Sequence, residues 1–303
     1  MGNKERIIES GSYVLSMVFG STALFAYLYV SRSTGMLPVI TYPYRDFTFP
    51  LFTISLLLLI TALVIRGSSL ETDRLVLPER KFLLQLVVFL GTGFLMKIGG
   101  EVIHEILGHG LFILLFGGEI LGVHVSLWWP YELSYISHNT SDLLFGEQVL
   151  IIAGGIAACL VISFVIQALL LAKKFRWEVT LPLFWLSFWC FINATGYFMI
   201  GGFAPFGDVK KLIELGVMTP VLSVLAGTIS FLAGFTFLSK ILREAIKDSL
   251  NGKTKQAIVI FWLVIPVLAG LVVASRGLPV IFTLLGFLPV VLSFILELRL
   301  TEK

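Results

Sequence analysis

The sequence predicts an all-α polytopic membrane protein with about eight transmembrane helices. Three observations carry that expectation. Hydrophobic residues fill 57% of the 303 positions and charged ones only 14%, where a soluble domain carries about a quarter. Mean hydropathy is correspondingly high, at +0.96. The apolar residues fall in runs long enough to cross a bilayer, and basic residues gather between alternate runs. The net charge of +3 is small and no basic cluster is interleaved with aromatics, which argues against a nucleic-acid partner. Cys159 and Cys190 both lie in apolar segments, so neither a disulfide framework nor a cysteine zinc site is expected.

Taken in order, the runs are 12–31, 49–66, 82–98, 101–117, 147–171, 179–200, 219–238, 256–274 and 278–297. The first is long for the apolar region of a secretory signal, and no clear small-residue cleavage site comes after it, so it reads as a retained span. The basic residues sort well if 82–117 crosses once, as a helix broken at Gly99-Gly100. One side then receives the N-terminus, 66–81, 173–176, 239–255 and the tail, with sixteen of the 22 basic residues. The positive-inside rule makes that side cytoplasmic and places both termini there. Thirty-six helical residues would extend about 54 Å, too far for one straight crossing. A kinked or re-entrant segment reconciles the length with the charges.

Within that segment stands Glu101-Val102-Ile103-His104-Glu105-Ile106-Leu107-Gly108-His109-Gly110. Ionisable groups inside a span are costly and mark function by default. A His-Glu pair followed by a second His on a helix is also the pattern of zinc-dependent peptide hydrolysis.

His104-Glu105-Ile106-Leu107-Gly108-His109, followed by Leu115-Phe116-Gly117-Gly118, resembles the site-2 protease family of intramembrane zinc metalloproteases. The resemblance implies a His-Glu helix, a Phe-Gly step and a small membrane-associated β-hairpin. The stretch 119–131 fits the hairpin, with strand-like alternation at Val123, Val125 and Leu127. Ile151-Ile152-Ala153-Gly154-Gly155 is similar to the family's small-residue turn. Gly201-Gly202-Phe203-Ala204-Pro205-Phe206-Gly207-Asp208 stands where the family presents an aspartate to the metal from a proline-broken helix.

The likeness covers roughly 82–215. It implies a protease-like core at 82–218, a two-helix extension at 1–81 and a three-helix extension at 219–303. The implied activity is zinc-dependent endoproteolysis in or near a transmembrane segment of a membrane-protein substrate. An unwound substrate segment would add to the edge of the 119–128 strand, at Val123 and Val125. Ala158 stands where the family places an Asn that helps hold substrate, and Asn193 or Asn139 would substitute for it as oxyanion donor. The lack of a long soluble domain suggests a minimal system in a prokaryotic cell membrane.

The chemistry can also be argued from residue types. A hydrolytic zinc takes three protein ligands from His and carboxylate and leaves one position open. All four histidines fall between 104 and 138, and of five aspartates only Asp208 abuts an apolar span broken by Gly and Pro. His104, His109 and Asp208 would supply the ligands and Glu105 the general base. The histidines are five apart, however, and an ideal α-helix turns such residues about 140° from each other. They converge only through a π-bulge or if the helix ends near Gly108. A rival ligand set joins Glu105 and His109, which are i,i+4, with Glu101 one turn earlier.

Other readings of the same residues stay open. The cluster also suits a proton relay or an interhelical hydrogen-bonded patch. Asp208 also suits a helix N-cap over 209–216. His124 is expected on the polar face of a strand, His138 in a loop, and Lys97 as a snorkelling or counter-charge residue. The alternatives to a protease are a non-catalytic membrane scaffold or escort protein and a proton-coupled carrier.

Overall fold

A computed structural model describes residues 39–43, 82–126, 133–140, 143–246, 254–276 and 284–301. Helix α1 (Phe82–Val102) continues directly into a π-helical turn (Ile103–Gly110) and then into the short α2 (Leu111–Leu115). The runs 82–98 and 101–117 are therefore one rod, as the charge distribution requires. The expected break at Gly99-Gly100 is absent, and the helix is regular there. Gly100 serves packing instead: a Cβ on it would lie 3.3 Å from Trp189 Cβ. The irregularity lies one turn later, at the histidines. Gly117 ends the rod at φ 75°, a conformation that favours glycine.

Beside the rod lies a three-stranded antiparallel sheet, formed by β1 (Val39–Pro43), which precedes the rod in the chain, and β2 (Glu119–Ser126) and β3 (Tyr135–Asn139), which follow it, in the order β1-β2-β3. The expected hairpin is β2–β3, with Val123 opposite Ile136. Its other edge carries β1, with Tyr42 opposite Val123 and Ile40 opposite Val125. Strand β2 is thus central, and both its edges are hydrogen-bonded.

The remaining chain is helical: α3 (Phe145–Ala172), α4 (Trp177–Phe203), α5 (Gly207–Glu214), α6 (Pro220–Ile246), α7 (Thr254–Trp262), α8 (Val264–Arg276) and α9 (Leu288–Thr301). Among the described residues five helical segments are long and apolar enough to cross a membrane: Phe89–Leu115, Phe145–Ala172, Val179–Phe203, Pro220–Ile246 and Thr254–Leu271. The expected spans 12–31 and 49–66 lie outside the described residues, and 278–297 is described only from 284 onward, with α9 covering its later part.

Helix α4 is the hub, packed against α1, α3 and α6. Phe188, Phe191, Phe235 and Trp262 are buried around it; Trp262 meets Phe235 at 4.6 Å and Phe188 at 6.2 Å with tilted rings, and Phe191 stacks on Phe231. Leu114, Val161, Val165, Val221 and Ile229 point outward, a surface suited to lipid. Between α3 and α4 a polar clamp is sealed in the bundle. Gln167 Nε2 donates to Ser163 Oγ at 2.9 Å and to Ser187 Oγ at 3.2 Å, and Ser163 Oγ donates to the Ser187 carbonyl at 2.9 Å.

Candidate metal centre

A π-helical turn bonds residue i to i+5, so residues five apart stand one above the other, as residues four apart do in an α-helix. The turn at Ile103–Gly110 therefore brings His104 and His109 onto one face. Their rings meet edge-on with centroids 5.0 Å apart. Of the two routes to convergence that the spacing allows, the chain takes the π-helical one.

The third partner comes from about 100 residues further on. Helix α4 ends at Phe203, Pro205 cannot continue it, and Gly207 turns the chain at φ 53°. A Cβ at Gly207 would meet Tyr197 Cε1 at 2.6 Å, so this position needs glycine for both its backbone and its neighbour. Asp208 then sits in the first turn of α5 and aims back at the rod. Its Oδ2 lies 3.0 Å from His104 Nε2 and 3.3 Å from His109 Nε2. The N-cap position of α5 is Phe206 rather than Asp208, and the Asp208 carboxylate faces the histidines.

One ligand atom each from His104, His109 and Asp208 lies within 4.8 Å of the others, and all three residues are buried. The group could hold a metal ion. Burial by itself would raise the Asp208 carboxyl, but hydrogen bonds and charge from both histidines outweigh it and hold the group below the usual carboxylate range. Asp208 is therefore ionised, as a ligand must be.

The surroundings prepare the histidines for that role. His109 Nδ1–H donates to the Ile151 carbonyl at 2.6 Å, which fixes the ring with Nε2 toward Asp208. His104 stacks on Tyr197 at 5.3 Å, and its Nδ1 is 3.9 Å from Cys159 Sγ. Gly108 packs directly against Gly154 and Gly155 of α3. A Cβ on Gly155 would fall 2.6 Å from His104 Nε2 and 2.7 Å from His109 Nε2, so the glycine keeps clear the space the ligand atoms share. Glu105, 4% exposed, lies in the same turn and within the electrostatic reach of both histidines and Asp208.

Several expectations are corrected. Glu101 does not join the ligand group; it pairs with Lys97 at 3.8 Å. Of the two roles expected of Lys97, it takes that of counter-charge, to Glu101, and does not snorkel: it is buried and donates to the Ser126 carbonyl at 2.6 Å, tying the end of β2 to the rod. Val123 and Val125 are buried in the core, and β2 has no free edge, so substrate cannot add there as expected. The cause is β1, which occupies the edge where substrate was expected. His124 is buried with its ring stacked on Tyr135 at 4.7 Å rather than on a polar face. His138 lies in β3 rather than a loop, and partial burial, then Lys211 and His109, keep its imidazole below its ordinary value. Asn139 ends β3, exposed, and Asn193 lines a cavity that Tyr197 shares.

The sequence alone did not point to Tyr197, the Ile151 carbonyl or the clearance role of Gly155. Only Gly155 left a signal, as part of a small-residue turn. Comparison with protein-family models, curated proteins and solved structures returned no match. The chemistry of the centre thus rests on its own residues.

Proposed function

We propose that this chain is a multi-pass membrane protein of a prokaryotic cell membrane and a zinc-dependent endopeptidase. Its substrate would be a membrane protein, cleaved in or near a transmembrane segment. The observation that carries the reading is the convergence of His104, His109 and Asp208 beside Glu105 within an apolar bundle. Two imidazole nitrogens and a carboxylate oxygen are the donor set of a hydrolytic zinc, and the clearance over Gly155 fits an ion between them. When bound, zinc supplies a Lewis acid that polarises a carbonyl and acidifies water.

The residues of the chain supply the rest. Glu105 takes a proton from water and returns it to the leaving amine. The Ile151 carbonyl holds the His109 tautomer, and Asp208 closes the ligand set as an anion. The substrate helix hides its amides in internal hydrogen bonds and must unwind before its carbonyl is reached. The likeness of 104–118 and 201–208 to site-2 proteases supports the same reading.

The test is metal content and turnover measured together. Purified wild-type protein carries one zinc per chain, and His109→Ala and Asp208→Ala lose it. Glu105→Gln keeps the zinc and slows cleavage of a transmembrane substrate by about 100- to 10,000-fold. A wild type that stays zinc-free after reconstitution overturns the metal site. Undiminished cleavage by a zinc-loaded Glu105→Gln overturns the role given to Glu105.

A further inference from the structure

The ring of Tyr197, on α4, lies 5.3 Å from that of the ligand His104 and is inclined to it by 27°. The turn that presents Asp208 sets the phenol from another side. A Cβ on Gly207 would stand 2.6 Å from Tyr197 Cε1 and 3.5 Å from Cζ, the carbon that bears the hydroxyl. Phe206 packs on the same ring at 4.9 Å. The hydroxyl oxygen is two bonds from Cε1, so it stands beside Gly207, the residue before Asp208. Asp208 is accordingly the foremost charge within its electrostatic reach, with Glu101 and Glu105 next. Tyr197 is thus held between two of the three candidate ligands.

Packing does not account for the hydroxyl, because phenylalanine would make the same stack. Tyrosine and tryptophan donors inside a fold usually find an acceptor. The indole N–H groups of Trp189 and Trp262 do so, on the Gly93 carbonyl at 2.7 Å and on Ser239 Oγ at 3.0 Å. The Tyr197 O–H makes no hydrogen bond among the described residues. Tyr197 is only half-buried and lines a cavity of about 540 Å³ between α4 and the C-terminal helices. A donor therefore stands open beside the ligands, on a ring that the Asp208 turn holds in place. Peptide hydrolysis calls for one. As the oxygen of water bonds to the carbonyl carbon, negative charge gathers on the carbonyl oxygen, and a donor already in position stabilises it. Asn139 is exposed at the end of β3 and Asn193 stands one turn earlier on α4. Of these three donors only Tyr197 touches a ligand among the described residues.

We propose that Tyr197 is a catalytic residue of the centre: its phenol O–H, held between the His104 ring and the Asp208 turn, donates to the carbonyl oxygen of the peptide bond under attack. The phenol keeps its proton throughout. The proton of water passes to Glu105 and on to the leaving amine, and the C=O bond re-forms as the C–N bond breaks. The proposal rests on the endopeptidase reading and deepens it by naming the donor that the ligands and Glu105 do not supply.

The test uses full-length protein in detergent micelles, loaded with cobalt(II), which accepts imidazole and carboxylate donors as zinc does and absorbs visible light. The probe is acetohydroxamate, whose anion presents oxygen to the metal. Wild type and Tyr197→Phe each carry one cobalt per chain by elemental analysis, because the ring and the ligands are unchanged. Titration followed in the cobalt band finds acetohydroxamate bound about 10- to 100-fold more weakly by Tyr197→Phe, the effect of one hydrogen bond to a charged group. Tyr135→Phe, in the exposed strand β3, keeps the cobalt content and the affinity of the wild type. Equal affinities in wild type and Tyr197→Phe overturn the donor role and leave the metal centre standing. Cobalt lost from Tyr197→Phe also overturns it, and assigns the hydroxyl to holding the ligands in place. A wild type that takes up neither cobalt nor zinc overturns the centre itself. A cobalt band that acetohydroxamate does not move in the wild type overturns the open position that hydrolysis needs, and the endopeptidase reading falls together with its donor.

Discussion

A methyl group on Gly155 would stand within 2.7 Å of both histidine Nε2 atoms, inside the space a metal needs. Gly155→Ala is therefore expected to weaken zinc binding about 100-fold, the upper range for disturbing the shell of a metal site. Gly146 lies near the start of the same helix and a Cβ there meets nothing within 4 Å, so Gly146→Ala leaves affinity unchanged. Competition titration against a zinc-binding dye reads both, and equal affinities would show that the ligands do not converge over Gly155. At this scale the sequence was informative wherever side-chain chemistry is distinctive. His104, His109 and Asp208 stand out because imidazoles and aspartates are few and otherwise placed. The partner of His109 Nδ1 is a backbone carbonyl, which every residue carries, so no residue type could announce it. Tyr197 was equally silent, being one aromatic among many in a span.

The π-helical turn solves a spacing problem at the scale of one element. It inserts one residue into an otherwise α-helical rod, so deleting that residue should restore α-geometry without rotating α2. Leu107 is half exposed at 49% and lies between the ligands. A Leu107 deletion places the histidines four apart, about 40° from one another. It is expected to retain one zinc per chain by elemental analysis, with unchanged helicity. Loss of zinc would show that the wide turn itself sets the ligand positions.

The clamp between α3 and α4 makes a second prediction at this scale. Gln167→Leu removes two donated bonds and should cost about 0.6 kcal/mol, with about 1.7 as a ceiling, in a detergent unfolding assay. No change would mean that the two serines alone carry the contact. Elements were legible by length and apolarity, which fixed the described spans closely. The misreadings came from residues with two uses. Gly100 looks like a helix break but packs against Trp189, and β2 looks like a free edge until β1 arrives from about 80 residues upstream.

For the whole molecule, the alternation of helices fixes which ends lie together. Two helices long and apolar enough to cross, α3 and α4, separate the sheet from α5; if both cross, the sheet and Asp208 share one side of the bilayer. The connection between α3 and α4 carries Lys173, Lys174 and Arg176, and the end of α6 carries Lys240 and Arg243, both at the opposite end. Against these, α5 bears only Lys210 and Lys211. The bias of basic residues predicts a cytoplasmic α3–α4 connection, with the candidate metal centre then opening toward the far side. Single-cysteine labelling tests this, because Cys159 and Cys190 are buried and give little background. With an impermeant maleimide on intact cells, Asn139→Cys in β3 should react at once, and Lys174→Cys only after the membrane is opened. The reverse pattern would invert the molecule and turn the centre toward the cytoplasm. Reaction of both from outside would mean that α3 does not cross, and the intramembrane depth assigned to His104 and His109 would fall with it.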